Sequence, residues 1–398
     1  MTEFQIKPNL FSVGVRDPHL RRFDIVMETI YGSTYNSYIY QSGSKTVLID
    51  GVKEPFTDEW LANIEKIVPI EKIDYMIVQH TEPDHSGSIP HLLKRNPNIE
   101  IFITVMGNAI LSEIVNGPFK AHPIKDQEVL SLGDKSLRFI AAPNLHWPDT
   151  MFTYAIEDQW LFTCDFFGAH YDSESLFLSK LEDRSKYDYT FKHYFQSIME
   201  PFKSFVRQGL AKIETLPIQM VLNSHGPFID RLEDFQKAKT LYAAWAKADI
   251  KAKKRVVIPF VSSYGYTKEL ATTIYDEINK LGTFDVLIFD IVDEPLPVMM
   301  QTLASADGIM FGSPTIVGDA LRPVYDLMNS MDTFTMMGKK ATAFGSYGWS
   351  GEAVPNILER AKQLKMRVGD QGLRIKAKAN ESQLLEVRQF ARDFVSKL

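Results

Sequence analysis

Four side chains able to ligate a metal, His80, Glu82, Asp84 and His85, crowd the stretch "VQHTEPDHSGSIP" (78–90), directly after the apolar run "YMIV". Unpaired polar groups at the mouth of a buried strand are costly to desolvate unless something binds them. A metal is the natural occupant. On an extended or loosely turned segment His80, Glu82 and Asp84 have spacing two, so their side chains point to the same side and can converge on one point, while His85 faces elsewhere. Three more candidates end apolar runs: His146 in "NLHWPDT", Asp165 in "FTCDFFG" and His225 in "LNSHGPF". Each alone reads as a hydrogen-bonded structural residue. Together they point to a metal site.

These loops need strands to carry them. The first part of the chain is dense in short apolar runs, "YNSYIYQ", "KTVLID", "YMIVQH", "IEIFIT", "LRFIAA", "FTYAIE" and "QWLFTCD", with helical patterns such as "DEWLANIEKIV" between some of them. It reads as an α/β sandwich. Further on, "VVIPFV", "DVLIFD", "GIMFG" and "ATAFG" alternate with helical patterns such as "KELATTIYDEINKLG" and "AVPNILERAKQL", the rhythm of a doubly wound parallel sheet. The basic stretch "KADIKAKKR" (247–255) marks the boundary, giving expected domains at 1–250 and 255–398.

The chain has 398 residues, 45% hydrophobic and 24% charged, enough for two cores. A net charge of -6 gives no general attraction to nucleic acid. No basic-then-apolar leader and no membrane-length apolar run is present, so the expected setting is cytoplasmic, with no membrane partner. The single cysteine, Cys164, rules out an intramolecular disulfide and an iron–sulfur cluster built from this chain alone.

In order and separation, "HTEPDH", "HWPDT", "CDFFG" and "SHG" resemble the metallo-β-lactamase-fold core of the flavodiiron proteins, and with the second half the resemblance covers the entire chain. Related hydrolases carry His-x-His-x-Asp-His, whereas here Glu82 replaces the second histidine. A carboxylate makes the site harder and more anionic, shifting preference from zinc towards iron or manganese. The resemblance implies an αββα sandwich followed by a flavodoxin-like domain. It also implies two iron ions per chain, one held by His80, Glu82 and His146, the other by Asp84 and His225, with Asp165 bridging. His85, a ligand in many hydrolases of the fold, is implied to stand behind the irons and orient bound water or oxygen.

The second half offers an electron source. In "VSSYGYTKELA", Ser262, Ser263, Tyr264, Gly265, Tyr266 and Thr267 follow a strand and open a helix, where hydroxyls and backbone N–H groups can meet a phosphate. This resembles the flavodoxin phosphate loop. Two later loops lie at the same end of the sheet, where such folds bind FMN. One contributes Pro314, Thr315, Ile316 and Val317. The other contributes Ser346, Tyr347, Gly348, Trp349, Ser350 and Gly351, with Tyr347 and Trp349 against the flavin plane.

The expected division of labour is that FMN collects electrons and a di-iron pair passes them to a small gas, dioxygen first and nitric oxide as the alternative. A binuclear zinc hydrolase with a flavodoxin-like module is the competing class. The resemblance further implies a separate rubredoxin or another redox protein as electron donor. It also implies a head-to-tail homodimer, alone or as a dimer of dimers.

Overall fold

The computed structural model describes residues 4–24, 27–173, 175–247, 252–369 and 371–398. The chain divides into two compact units, Met1–Ala248 and Asp249–Leu398. Residues 248–251 of the basic stretch lie outside the described residues.

The first unit is built on two sheets. A seven-stranded sheet runs in the order Gln5–Lys7, Leu10–Ser12, Tyr38–Ser42, Lys45–Ile49, Tyr75–Val78, Glu100–Ile103 and Lys120–Pro123. A five-stranded sheet runs Val129–Ser131, Ser136–Ala141, Met151–Ala155, Trp160–Cys164 and Met220–Asn223. Alternation along the strands shows how they pack. Tyr38, Tyr40, Val47, Ile49, Ile77 and Phe102 of one sheet share a buried cluster with Leu137, Phe139, Met151, Phe162, Met220 and Leu222 of the other. The residues between them, including Ile39, Leu48, Met76, Ile140, Phe152, Leu161 and Val221, belong to a second cluster with helical residues such as Trp60, Ile64, Leu92, Val206 and Phe235. Both sheets are therefore apolar on both faces, the requirement of an αββα sandwich.

The second unit is the expected doubly wound sheet. Its strands Phe284–Asp290, Lys254–Phe260, Gly308–Gly312, Lys340–Tyr347 and Leu373–Lys376 lie in that order and pair in parallel. Val257, Ile309, Phe311, Ala341 and Ala343 face helices that carry Leu303, Val324, Leu327 and Ile357. Val256, Ile258, Met310, Phe344 and Ile375 face Leu270, Ile274, Val387 and Phe394. Parallel pairing brings the carboxyl ends of three strands to one edge, and with them the loops starting at residues 261, 313 and 348. Among the described residues no helix is long and apolar enough to cross a membrane.

Candidate metal centre and flavin site

The strand Tyr75–Val78 ends in a loop, and Glu82 caps a one-turn helix, Pro83–Ser86, with proline in its first turn. Proline is preset for that position. The chain turns helical at Pro83 rather than staying extended or loosely turned, and the expected convergence of His80, Glu82 and Asp84 on one point gives way to two groups. His85 does not turn away. His146 lies in the loop between the strands Ser136–Ala141 and Met151–Ala155. Asp165 and His225 follow the ends of two parallel neighbours, Trp160–Cys164 and Met220–Asn223. Cys164 takes a left-handed φ of 51°, turning the backbone just before Asp165, a costly conformation for a non-glycine residue that tends to occur at functional sites.

In the first group, Glu82 Oε2 lies 2.9 Å from His146 Nε2 and 3.1 Å from His80 Nε2. In the second, Asp84 Oδ2 lies 3.2 Å from His225 Nε2, and Asp84 Oδ1 lies 3.4 Å from His85 Nε2. Asp165 joins them with one oxygen apiece. Its Oδ2 is 3.4 Å from His146 Nε2 and 3.5 Å from His80 Nε2; its Oδ1 is 3.2 Å from His85 Nε2 and 3.3 Å from His225 Nε2. Ligand-type atoms of His80, Glu82, His146 and Asp165 all fall within 4.8 Å of one another, as do those of Asp84, His85 and His225.

Two metals fit this arrangement. Both oxygens of Asp84, both of Asp165 and Nε2 of His85 are buried and make no hydrogen bond, although imidazoles stand at ion-pair distance. Close approach without hydrogen-bond alignment is expected of atoms aimed at a shared ion, since buried polar groups otherwise find partners. The outward nitrogens of two rings are tied down. His225 Nδ1 donates to the Thr34 carbonyl at 2.7 Å, leaving the Nε2 lone pair for the cluster. His80 Nδ1 stands 3.3 Å from Asp149 Oδ1, and Asp149 Oδ2 accepts from Thr81 N and Oγ1 at 2.8 and 2.6 Å.

Burial opposes charge on the imidazoles, but the carboxylates outweigh it. The pKa of His80 and of His225 rises to about 10, that of His85 and of His146 to about 9. Burial likewise opposes ionisation of Glu82 and Asp165, yet the histidines hold both below the usual carboxylate range. Positive charge is what this cavity demands.

Asp149, three residues after His146 within the quoted "HWPDT", was open to sequence reasoning as an orienting carboxylate. The Thr34 carbonyl carries no side-chain signal. Asp24 and His170 were also missed. Burial first, then the Glu82 carboxylate, push Asp24 up to about 6. His170 is buried against the ring of His225, their centroids 4.8 Å apart.

In the loops proposed for flavin the helix Tyr266–Lys280 begins behind Gly265, whose φ of 84° is left-handed and which has no side chain to cap the first turn. Backbone N–H groups left so are an anion site. Ser262 Oγ accepts from Lys268 N at 3.3 Å, and Thr267 Oγ1 lies 2.9 Å from Ser346 Oγ, joining the first and third loops. Thr315 pairs with Tyr347 across the sheet edge, joining the second and third. Gly345 has no alternative, because a Cβ there would lie 1.9 Å from the Ser313 carbonyl. Tyr264, Val317 and Trp349 are 83, 95 and 93% exposed. Apolar surface held out by three converging loops is a fitting wall for a planar ring. Ser263, Pro314, Ile316, Gly348, Ser350 and Gly351 lie in the same loops.

Residues 34–226 match a family model described as ODP family beta lactamase, and residues 258–390 match flavodoxin. The chain is 37% identical to the flavo-diiron protein FprA2 of Clostridium acetobutylicum, over the whole of both chains. It is 32% identical to the anaerobic nitric oxide reductase flavorubredoxin of Pectobacterium atrosepticum, over 89% of this chain and 70% of that one. Among solved structures, the flavodiiron protein of Giardia intestinalis aligns with a TM-score of 0.66 at 29% identity, covering 99% of this chain and 96% of that one. The protein belongs to the flavodiiron family. It is an oxidoreductase whose cofactors are FMN and a pair of irons, and the zinc hydrolase alternative is set aside.

Proposed function

We propose that this chain reduces dioxygen to water with electrons that a separate redox protein delivers to its flavin. The observation that carries the reading is Asp165, buried and offering one oxygen to His80 and His146 and the other to His85 and His225. A carboxylate so placed would hold two metals at once, one through each oxygen. We assign His80, Glu82 and His146 to one iron and Asp84 and His225 to the other. His85 Nε2 approaches Asp165 as closely as His225 Nε2 does, so His85 belongs beside the second iron. When bound, FMN supplies two electrons and the iron pair two more, the four that dioxygen needs.

The chain's own residues prepare that chemistry. Asp149 and the Thr34 carbonyl fix two ring orientations. Tyr35 and Tyr194 pack near His225, and Trp147 meets His80 edge-on with centroids 5.1 Å apart. These aromatic rings lower the polarity around the cluster, which strengthens the electrostatic contacts inside. Ser262–Thr267, 314–317 and 346–351 are assigned to FMN, its phosphate against the first stretch.

Nitric oxide reduction is the second reading, favoured by the nitric oxide reductase named among the relatives. Reducing the protein without oxygen and exposing portions to each gas separates the two. Reoxidation that consumes four electrons per dioxygen, leaves no peroxide and outpaces the reaction with nitric oxide is expected. Peroxide release, or rapid turnover with nitric oxide alone, would overturn the dioxygen reading.

A further inference from the structure

His170 is 2% exposed, and its Nε2 has no hydrogen-bond partner. Its ring is boxed in by Phe23, Tyr194 and His225, with centroids 4.5, 5.0 and 4.8 Å away. Nδ1 lies 2.8 Å from Ser33 Oγ. The Ser33 hydroxyl has one proton and two acceptors within reach, Nδ1 at 2.8 Å and the Thr34 carbonyl at 3.2 Å. The ring nitrogen is the nearer of the two. Assigned by this network, the serine proton goes to the ring and the ring's own proton sits on Nε2. That N–H projects from the side of the imidazole away from Ser33, in an enclosed space beside His225. Buried donors are rarely left alone.

We infer that His170 Nε2–H donates to the small molecule bound at the second metal position, between Asp84, His85 and His225. The inference rests on the metal assignment proposed above. The ligand class is a compact molecule with exposed lone pairs: a reduced form of the gas, or an anion such as azide. His170 then touches the reacting molecule, and its hydrogen bond selects occupants that can accept one. Ser33 is the positioning residue behind it.

Azide titrated into the oxidised, iron-loaded protein, followed by its absorption on the metal, tests this while iron content is measured separately. His170→Asn keeps a group in place of Nδ1 and loses the donor at Nε2; His170→Gln does the reverse. The Asn variant is expected to keep both irons and weaken azide about tenfold, the Gln variant to stay within about threefold of the parent. Equal weakening in both variants, unchanged binding in the Asn variant, or loss of iron from it would overturn the inference. His193 also has a buried, unpartnered Nε2 and acts on His170 electrostatically. If His193→Gln weakens azide as much as His170→Asn, the two rings share a water and His170 does not face the metals. Failure of the parent protein to bind two irons would instead sink the metal assignment itself.

Discussion

Asp165 stands between the two groups of side chains, one oxygen toward each, and is the residue assigned above to both metals. Asp165→Ala is expected to remove the bridge and abolish gas reduction while flavin content stays near that of the parent, because the second unit is untouched. Asp149→Ala, which frees only the outer side of His80, should cost roughly 10–100-fold in metal affinity. Full turnover in the Asp165 variant would remove the bridge assignment. The imidazoles make a second prediction. Their pKa values of about 9 to 10 exceed the ordinary 6.5. In the metal-free protein the stability they contribute is complete below about 6.5 and is lost as pH rises through the folded values. The depressed Glu82 and Asp165 contribute in the opposite sense, losing stability only below the ordinary carboxylate range. Metals must displace the imidazole protons, so metal affinity rises with pH. Between pH 6.5 and 10 the Tm of metal-free protein should fall relative to the loaded form. A constant gap in Tm across that window would show that protons do not stand in for the metals.

At the scale of elements, the three loops proposed for FMN hold one another through side chains as well as through the sheet. Thr267 meets Ser346, so removing its hydroxyl affects two loops at once. Thr267→Val with Ser263→Ala should lower FMN retention by about 1.5–3 kcal/mol for each charge-assisted bond lost, with metal content unchanged. Equilibrium flavin binding by fluorescence measures it, and unaltered affinity would move the phosphate elsewhere. The strands and their doubly wound order were legible in the sequence because buried strands there are unbroken apolar runs such as "VVIPFV" and "GIMFG". The proposed metal ligands stood out because most of them lie shortly past such a run. What period two could not show was the helical turn at Pro83, which sends Asp84 and His85 to the second group. Nor could side-chain types reveal the Thr34 carbonyl, or that His170 would lie against His225 in space.

For the whole molecule, the head-to-tail homodimer implied by the family resemblance stands as a proposal, with the flavin of one chain facing the irons of its partner. Two-fold closure is the commonest form of assembly and would repeat that contact twice. Coexpressing a metal-dead variant (His80→Ala with Asp84→Ala) and a flavin-dead variant (Thr267→Val with Ser263→Ala) tests it. Heterodimers should regain up to one working centre from two inactive parents. Verified heterodimers that stay inactive, with each parent's remaining cofactor in place, would rule the arrangement out.

The two parallel strand ends that carry Asp165 and His225 also bear on how the chain is tied together. The proposed ligands begin at residue 80 and finish at residue 225, on loops from both sheets of the sandwich. A metal pair bound there works as a knot between distant points of the backbone, closing long loops that the unfolded chain must otherwise order at an entropic cost. The sheets already meet through packed apolar side chains and a few hydrogen bonds, such as Met151 N to the Gln79 carbonyl at 3.0 Å. A metal centre held by the proposed ligands would therefore add a fastening of one sheet to the other at that edge.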